Sequence, residues 1–149
     1  LVSYEKVLKC LLPCFFMKKQ PLVFFVLVYI VSLFWEVTHS LLYDWTPSLR
    51  EYVPKVLWCS LVDASIVSAV LFSLFLFRKD FSLTKKFTSF DKIFLILVNA
   101  LIAIFIEINA LAKNKWNYTT LMPEVFGIGL SPLLQLAATT FIVLWLMKT

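Results

Sequence analysis

Long apolar stretches alternate along this chain with short segments carrying Lys, Asp, Asn and Pro. A hydrocarbon core about 30 Å thick is crossed by about 20 helical residues rising 1.5 Å each. The pattern therefore predicts four transmembrane helices, at about residues 21–43, 55–77, 92–111 and 128–147. Ahead of them, Tyr4, Val7, Leu8, Leu11, Leu12, Phe15 and Phe16 recur at helical spacing, with Lys6 and Lys9 between them. That stripe predicts a short helix within 1–20 lying in the membrane interface, ended or bent by Pro13. Lys18 and Lys19 before an apolar run are also how a signal peptide opens. Here the run is too long, no A-x-A-like site follows it, and three comparable segments come after, so it reads as a span. The expectation is one transmembrane domain over 1–149, an all-α four-helix bundle.

Composition agrees with a lipid surrounding. Of 149 residues 61% are hydrophobic and 15% charged, against about 25% charged in soluble domains. The net charge of +5 needs no nucleic acid, because cytoplasmic loops of membrane proteins gather Lys and Arg and face anionic lipid. Lys6, Lys9, Lys18, Lys19, Arg78, Lys79, Lys85, Lys86, Lys92 and Lys148 fall on one side of the predicted spans, and only Arg50, Lys55, Lys113 and Lys115 on the other. Ten against four places both termini and the middle loop in the cytoplasm. Trp35, Trp45, Trp58 and Trp116 crowd towards the opposite, outer ends, with Trp145 alone near the inner one. Belts normally form on both sides, so this crowding predicts that some of the rings line something. Cys10, Cys14 and Cys59 are odd in number and lack CxxC spacing, which argues against a disulfide framework or zinc knuckle. Cys10 and Cys14 read as membrane-surface residues, with acylation as the alternative.

The ionisable residues inside the spans carry the chemical information, since a charge at the bilayer centre costs about 2.5–3.5 kcal/mol on insertion scales. They are Glu36 and His39 in the first span, Asp63 in the second and Glu107 in the third, with Gln135 a neutral addition in the fourth. With alternating helix direction, all of them fall in the outer half of the bilayer. Ser32, Glu36, His39, Ser40 and Tyr43 share one helical stripe; Asn99, Ala103, Glu107 and Ala110 form another; Ser131, Gln135, Ala138 and Thr139 form a third. Ser60-xxx-Ala64-xxx-Ser68 is a small-residue seam for close helix approach. Turned inward, these stripes make a polar pocket that opens outward. The segment 113–129, with Trp116, Tyr118, Met122 and the flexible Gly127 and Gly129, predicts either a cover over that pocket or an ordinary interfacial loop. It also holds the sequon Asn117-Tyr118-Thr119.

Several chemistries are open to such a set. Carboxylates desolvated near one another can hold or pass a proton near neutral pH, which makes Glu36, His39, Asp63 and Glu107 the catalytic candidates. Tyr43, Trp58, Trp116, Tyr118 and Gln135 are the surrounding binding candidates, their rings suited to a carbocation or a lipid head group. No cofactor is required by the pattern. A single divalent metal on His39, Glu36 and Asp63, or with Glu107 in place of Asp63, is the possible exception, because Glu36-x-x-His39 has the spacing seen in di-iron bundles while the chain holds one histidine in all. The expected function is binding or transforming a lipid-like or small hydrophobic molecule by acid–base or metal-assisted chemistry. One alternative is a non-enzymatic scaffold or partner subunit whose buried polar residues only specify helix packing. The other is a proton-coupled small-solute transporter, which with four helices would work as an oligomer. The expected partners are membrane lipid and a possible second copy of the chain, with no nucleic acid.

Trp35-Glu36 with Leu42-Tyr43, Trp58-Cys59 with Asp63-Ala64, Glu107, Trp116-Asn117-Tyr118 with Met122-Pro123, and Gly127-Ile128-Gly129-Leu130-Ser131-Pro132 with Gln135 form a pattern over about residues 30–135. In this it resembles a group of small uncharacterised prokaryotic inner-membrane proteins, with its last stretch the most specific part. The resemblance implies a four-helix protein integral to the cell's inner membrane and no particular activity. The arrangement is also similar, by analogy only, to four-helix sterol-isomerase-like membrane domains, which place acidic residues, His and Trp in a pocket. A likeness of fold alone does not carry function.

Overall fold

The computed structural model describes residues 4–44, 48–78 and 87–147, with side chains from residue 21 onward. Helix α1 spans Tyr4–His39 and runs into a 3-10 turn at Ser40–Leu42; α2 spans Leu49–Arg78, α3 Ser89–Ala112 and α4 Leu130–Leu146. Between α3 and α4 lies a two-stranded antiparallel hairpin, β1 (Glu124–Val125) and β2 (Ile128–Gly129). The chain is thus mostly helical, with three helices long and apolar enough to cross a membrane and a shorter apolar one, α4. Large apolar side chains such as Phe34, Phe72, Leu101, Phe105 and Phe141 stand on the outside. An exposed coat of this extent marks a membrane-facing surface.

Three details depart from the expectation. Helix α1 continues unbroken through Pro13, since a proline removes one backbone donor and a helix can resume beyond it. The fourth helix begins at Leu130 rather than Ile128, because Ile128 and Gly129 are taken by the hairpin. That hairpin is the unpredicted strand pair, and its turn puts both Phe126 (φ 54°) and Gly127 (φ 76°) in the left-handed region, which a glycine adopts freely and a phenylalanine does not. The stripe expected within 1–20, Cys10 and Cys14, Trp45, Lys79, Lys85, Lys86 and Lys148 lie outside the described side chains.

Towards one end of the bundle the core is largely apolar, with Phe24, Val28, Leu74, Leu95 and Val143 all wholly buried and Asp91 the buried charged residue. There, α2 is tied to α3 by a cap. The Thr88 hydroxyl accepts from the Asp91 backbone N–H while the Asp91 carboxylate accepts from the Thr88 N–H, a reciprocal capping box. Arg78 at the end of α2 donates to the same carboxylate at 2.9 Å. Halfway up, Asn99 donates to the Leu95 carbonyl and across to Thr140 on α4 at 3.2 Å. Above it, the last turn of α1, the first half of α2, the last turns of α3 and the start of α4 converge on a cavity. That end is closed by the 113–129 segment, which we call the roof.

Candidate functional site

The cavity has a volume of about 320 Å³, at the small end of the range of about 300–1,000 Å³ typical of ligand sites. Helical spacing delivers its floor. Gln135, one turn into α4, is buried and donates through Nε2 both to Glu36 on α1, at 2.7 Å, and to Asp63 on α2, at 2.5 Å. Two bonds of 2.7 and 2.5 Å from one nitrogen put the two acceptor oxygens within 5.2 Å of each other. One side chain therefore pins two carboxyl groups from different helices at a single point.

A second cluster forms one turn of α3 closer to the roof. Glu107 is buried, and its Oε1 accepts from Trp116 Nε1 at 3.0 Å and from the Tyr118 hydroxyl. Tyr118 in turn accepts from the backbone N–H of Gly129 at 3.0 Å. Space favours glycine there, because a Cβ would stand 3.1 Å from both the Met122 sulfur and the Tyr118 ring, which would have to give way by a few tenths of an ångström. The roof is also stitched to the end of α1: Thr119 N–H donates to the Leu42 carbonyl and Asp44 N–H to the Asn117 carbonyl, each at 2.9 Å. The segment is thus tied by hydrogen bonds to the end of α1 and, through Glu107, to α3.

His39 and Tyr43 join the two clusters. The His39 Nδ1 lies 3.1 Å from the Trp35 carbonyl oxygen, and an oxygen there requires Nδ1 to be the protonated nitrogen. The ring packs on Tyr43 at 5.3 Å between centroids, and Tyr43 meets Trp116 edge-on at 5.9 Å and Tyr118 at 5.7 Å. Burial pushes the Tyr43 phenol well above the ordinary tyrosine range, and the nearby Glu107 carboxylate pushes the same way. Tyr118 is also raised, first by burial and then by its hydrogen bond to Glu107. Both phenols are protonated donors at neutral pH.

Eight of the nine residues singled out from the sequence line this one cavity: Glu36, His39, Tyr43, Trp58, Asp63, Glu107, Trp116 and Gln135. Tyr118 stands behind Glu107, reaching the cavity through it. The metal set does not assemble. Among the described residues no three His, Cys, Asp or Glu side chains come together as metal ligands. The Gln135 amide occupies the point where Glu36 and Asp63 meet. Lys55, Lys115 and Asp44, which also line the cavity, were missed. Lys55 was legible in principle: it precedes Cys59 and Asp63 at intervals of four on α2, so all three share a helical face. The chain matches no family model, no curated protein and no solved structure.

Proposed function

We propose that the chain is a four-span protein of the cell membrane that binds, and by acid–base chemistry transforms, a lipid-like molecule at the roofed end of the bundle. The observation that carries this reading is the polarity balance of the cavity. Three carboxyl groups from three helices, Glu36, Asp63 and Glu107, face it, with Gln135 donating to the first two and Trp116 and Tyr118 to the third, while Lys55 and Lys115 also line it. A ligand head group that reaches these carboxyl groups meets acceptors, so it brings donors of its own, as a hydroxyl or an ammonium does. Apolar and aromatic walls receive the rest. With two carboxyl groups at one point, one gives a proton to the bound molecule while the other takes one, and the charge of the pair is unchanged.

The membrane frame rests on the same features. At 1.5 Å per residue the 17 residues of α4 extend about 25 Å, within reach of a thin bilayer. The Lys and Arg asymmetry supports cytoplasmic termini, which puts the roof and the cavity outside. The wholly buried Phe24, Val28, Leu74, Leu95 and Val143 below the cavity weigh against the transporter reading, with Asn99 and Thr140 there hydrogen-bonded to each other. The packing-only reading is favoured by one observation, that Gln135 ties α1, α2 and α4 together.

Thermal unfolding in detergent tests the head-group preference directly. A ligand that binds only the folded state raises the midpoint. Dodecylamine or dodecanol should raise it where dodecanoate does not, and the combined Glu36→Gln and Asp63→Asn protein should lose the effect. An equal or larger rise with dodecanoate, or a rise that survives the two substitutions, refutes the assignment.

A further inference from the structure

Helices α2 and α3 are fastened at the end away from the roof by the Arg78–Asp91 ion pair. As a pair they pack on one another far less than α1 does on α2 or α3 on α4. The cavity reaches into the space this leaves, with Trp58 and Val62 of α2 on one flank and Ala103 and Ile106 of α3 on the other. Three of these four have a second property. Trp58 is 65% exposed, and Val62 and Ile106 are each 37% exposed. A residue that lines the cavity and also stands on the outer surface marks a wall one side chain thick, and here such residues face each other across a single helix pair.

We infer that the gap between α2 and α3 is a lateral doorway from the membrane, and that its occupant is a single-chain amphiphile whose tail lies between Trp58–Val62 and Ile106 while its head reaches Glu36 and Asp63. This rests on the head-group reading above and adds to it the tail and the route. Cavity size requires an exit: about 320 Å³ takes a head group and its first carbons, so a long chain must continue outside. The mouth under the roof is unsuited to that, because Asp44, Lys55 and Lys115 line it and apolar carbons would pass ions on their way to water. The flank between α2 and α3 is apolar and opens onto the exposed apolar coat. A gap between two neighbouring helices, walled by Val62 and Ile106, admits a linear chain more readily than a fused-ring body.

Cys59 lines the cavity one turn from Val62 and serves as the reporter. In proteoliposomes of the C10S/C14S protein, its thiol is titrated with two maleimides, one carrying a long alkyl chain that partitions into lipid and one sulfonated and confined to water. Val62→Trp and Ile106→Trp narrow the doorway; Leu101→Trp, on the exposed face of α3 and outside the cavity lining, is the control. The doorway predicts at least a fivefold slower reaction with the alkyl maleimide in both doorway variants. The sulfonated reagent should change less than twofold, and the control should affect neither. Should either tryptophan compromise folding, judged by circular dichroism and gel filtration, Val62→Leu and Ile106→Phe give the same comparison. Equal slowing of both reagents, or no slowing of the alkyl one, overturns the doorway. Protection of Cys59 by dodecylamine is read separately. If the amine fails to protect while the tryptophans still slow the alkyl reagent, the doorway stands and the head-group assignment falls.

Discussion

Replacing Gln135 by leucine puts the carboxyl pair to its most direct test. The side chain is buried and its one amide nitrogen serves Glu36 and Asp63 together. Hydrogen bonds between membrane helices contribute about 0.6 kcal/mol on average and up to about 1.7, so losing two costs about 1–3 kcal/mol. Leucine restores volume but supplies no donor, and it leaves two carboxyl groups within 5.2 Å of each other with nothing between them. The expected loss is about 2 kcal/mol, close to thirtyfold in the ratio of folded to unfolded protein. Reversible unfolding in mixed micelles by titration with sodium dodecyl sulfate measures it. The mechanism makes a second demand, because a protein in which Glu36→Gln and Asp63→Asn already remove the acids should tolerate Gln135→Leu better than the parent does. That coupling should be about 0.5–3 kcal/mol in a double-mutant cycle. A Gln135→Leu protein as stable as the parent to within about 0.5 kcal/mol, or a cycle with no coupling, would falsify the description of Gln135 as the pin of the site.

Tyr118→Phe removes the hydroxyl that donates to Glu107 and accepts from Gly129, and should cost about 1–3 kcal/mol, read as a lower thermal midpoint. Arg78→Ala strips the ion pair from Asp91 while the Thr88 cap remains; a loss of about 1–3 kcal/mol in micelle unfolding is expected, below the full cost of breaking a buried pair because Arg78 is partly solvated. Gly127→Ala meets no atom within 4 Å but sits at φ +76°, so it should cost about 1 kcal/mol through backbone strain alone. Gly129→Ala instead drives a Cβ against Met122 and Tyr118 and should weaken dodecylamine binding as well as stability. For pH, the raised phenols of Tyr43 and Tyr118 keep their contribution to stability up to about pH 10, where the unfolded chain begins to ionise. Stability should then fall as pH rises further, the folded state holding more protons than the unfolded one. Absorbance at 295 nm should show two tyrosines titrating later than the rest, and their return to the ordinary range would contradict the burial of the roof contacts.

Periodicity made the site legible because all the informative residues sit on helices. Glu36 and His39, Cys59 and Asp63, and Ala103 and Glu107 are each three or four residues apart, and that spacing alone puts each pair on one face. Depth followed from the alternating direction of successive apolar runs. What spacing could not give was which partner each group would choose. Gln135 reads as a neutral bystander in the fourth run, yet it bonds to two acids 99 and 72 residues away in sequence. The metal reading failed for the same reason: Glu36-x-x-His39 fixes a shared face but says nothing of an amide placed between the carboxyls. The hairpin escaped notice because two-residue strands leave no alternation to detect, and Phe126 in a left-handed conformation is what no propensity argument favours.

The roof explains why so many aromatic residues gather at one end. Glu107 is 3% exposed and would be a costly group to bury without donors. Its two donors, Trp116 and Tyr118, both come from the roof and from no other element. The same Tyr118 bridges back to Tyr43 at the end of α1, and its hydroxyl holds Gly129 at the start of α4. The burial of one acid is therefore conditional on the cover being in place, and the cover is held by the acid it satisfies. A cavity assembled in this way has an open flank only where the roof does not reach, and α2 is the helix that contributes nothing to the Glu107–Tyr118 cluster. The loosely packed α2–α3 pair is accordingly where the architecture leaves the site accessible from the side.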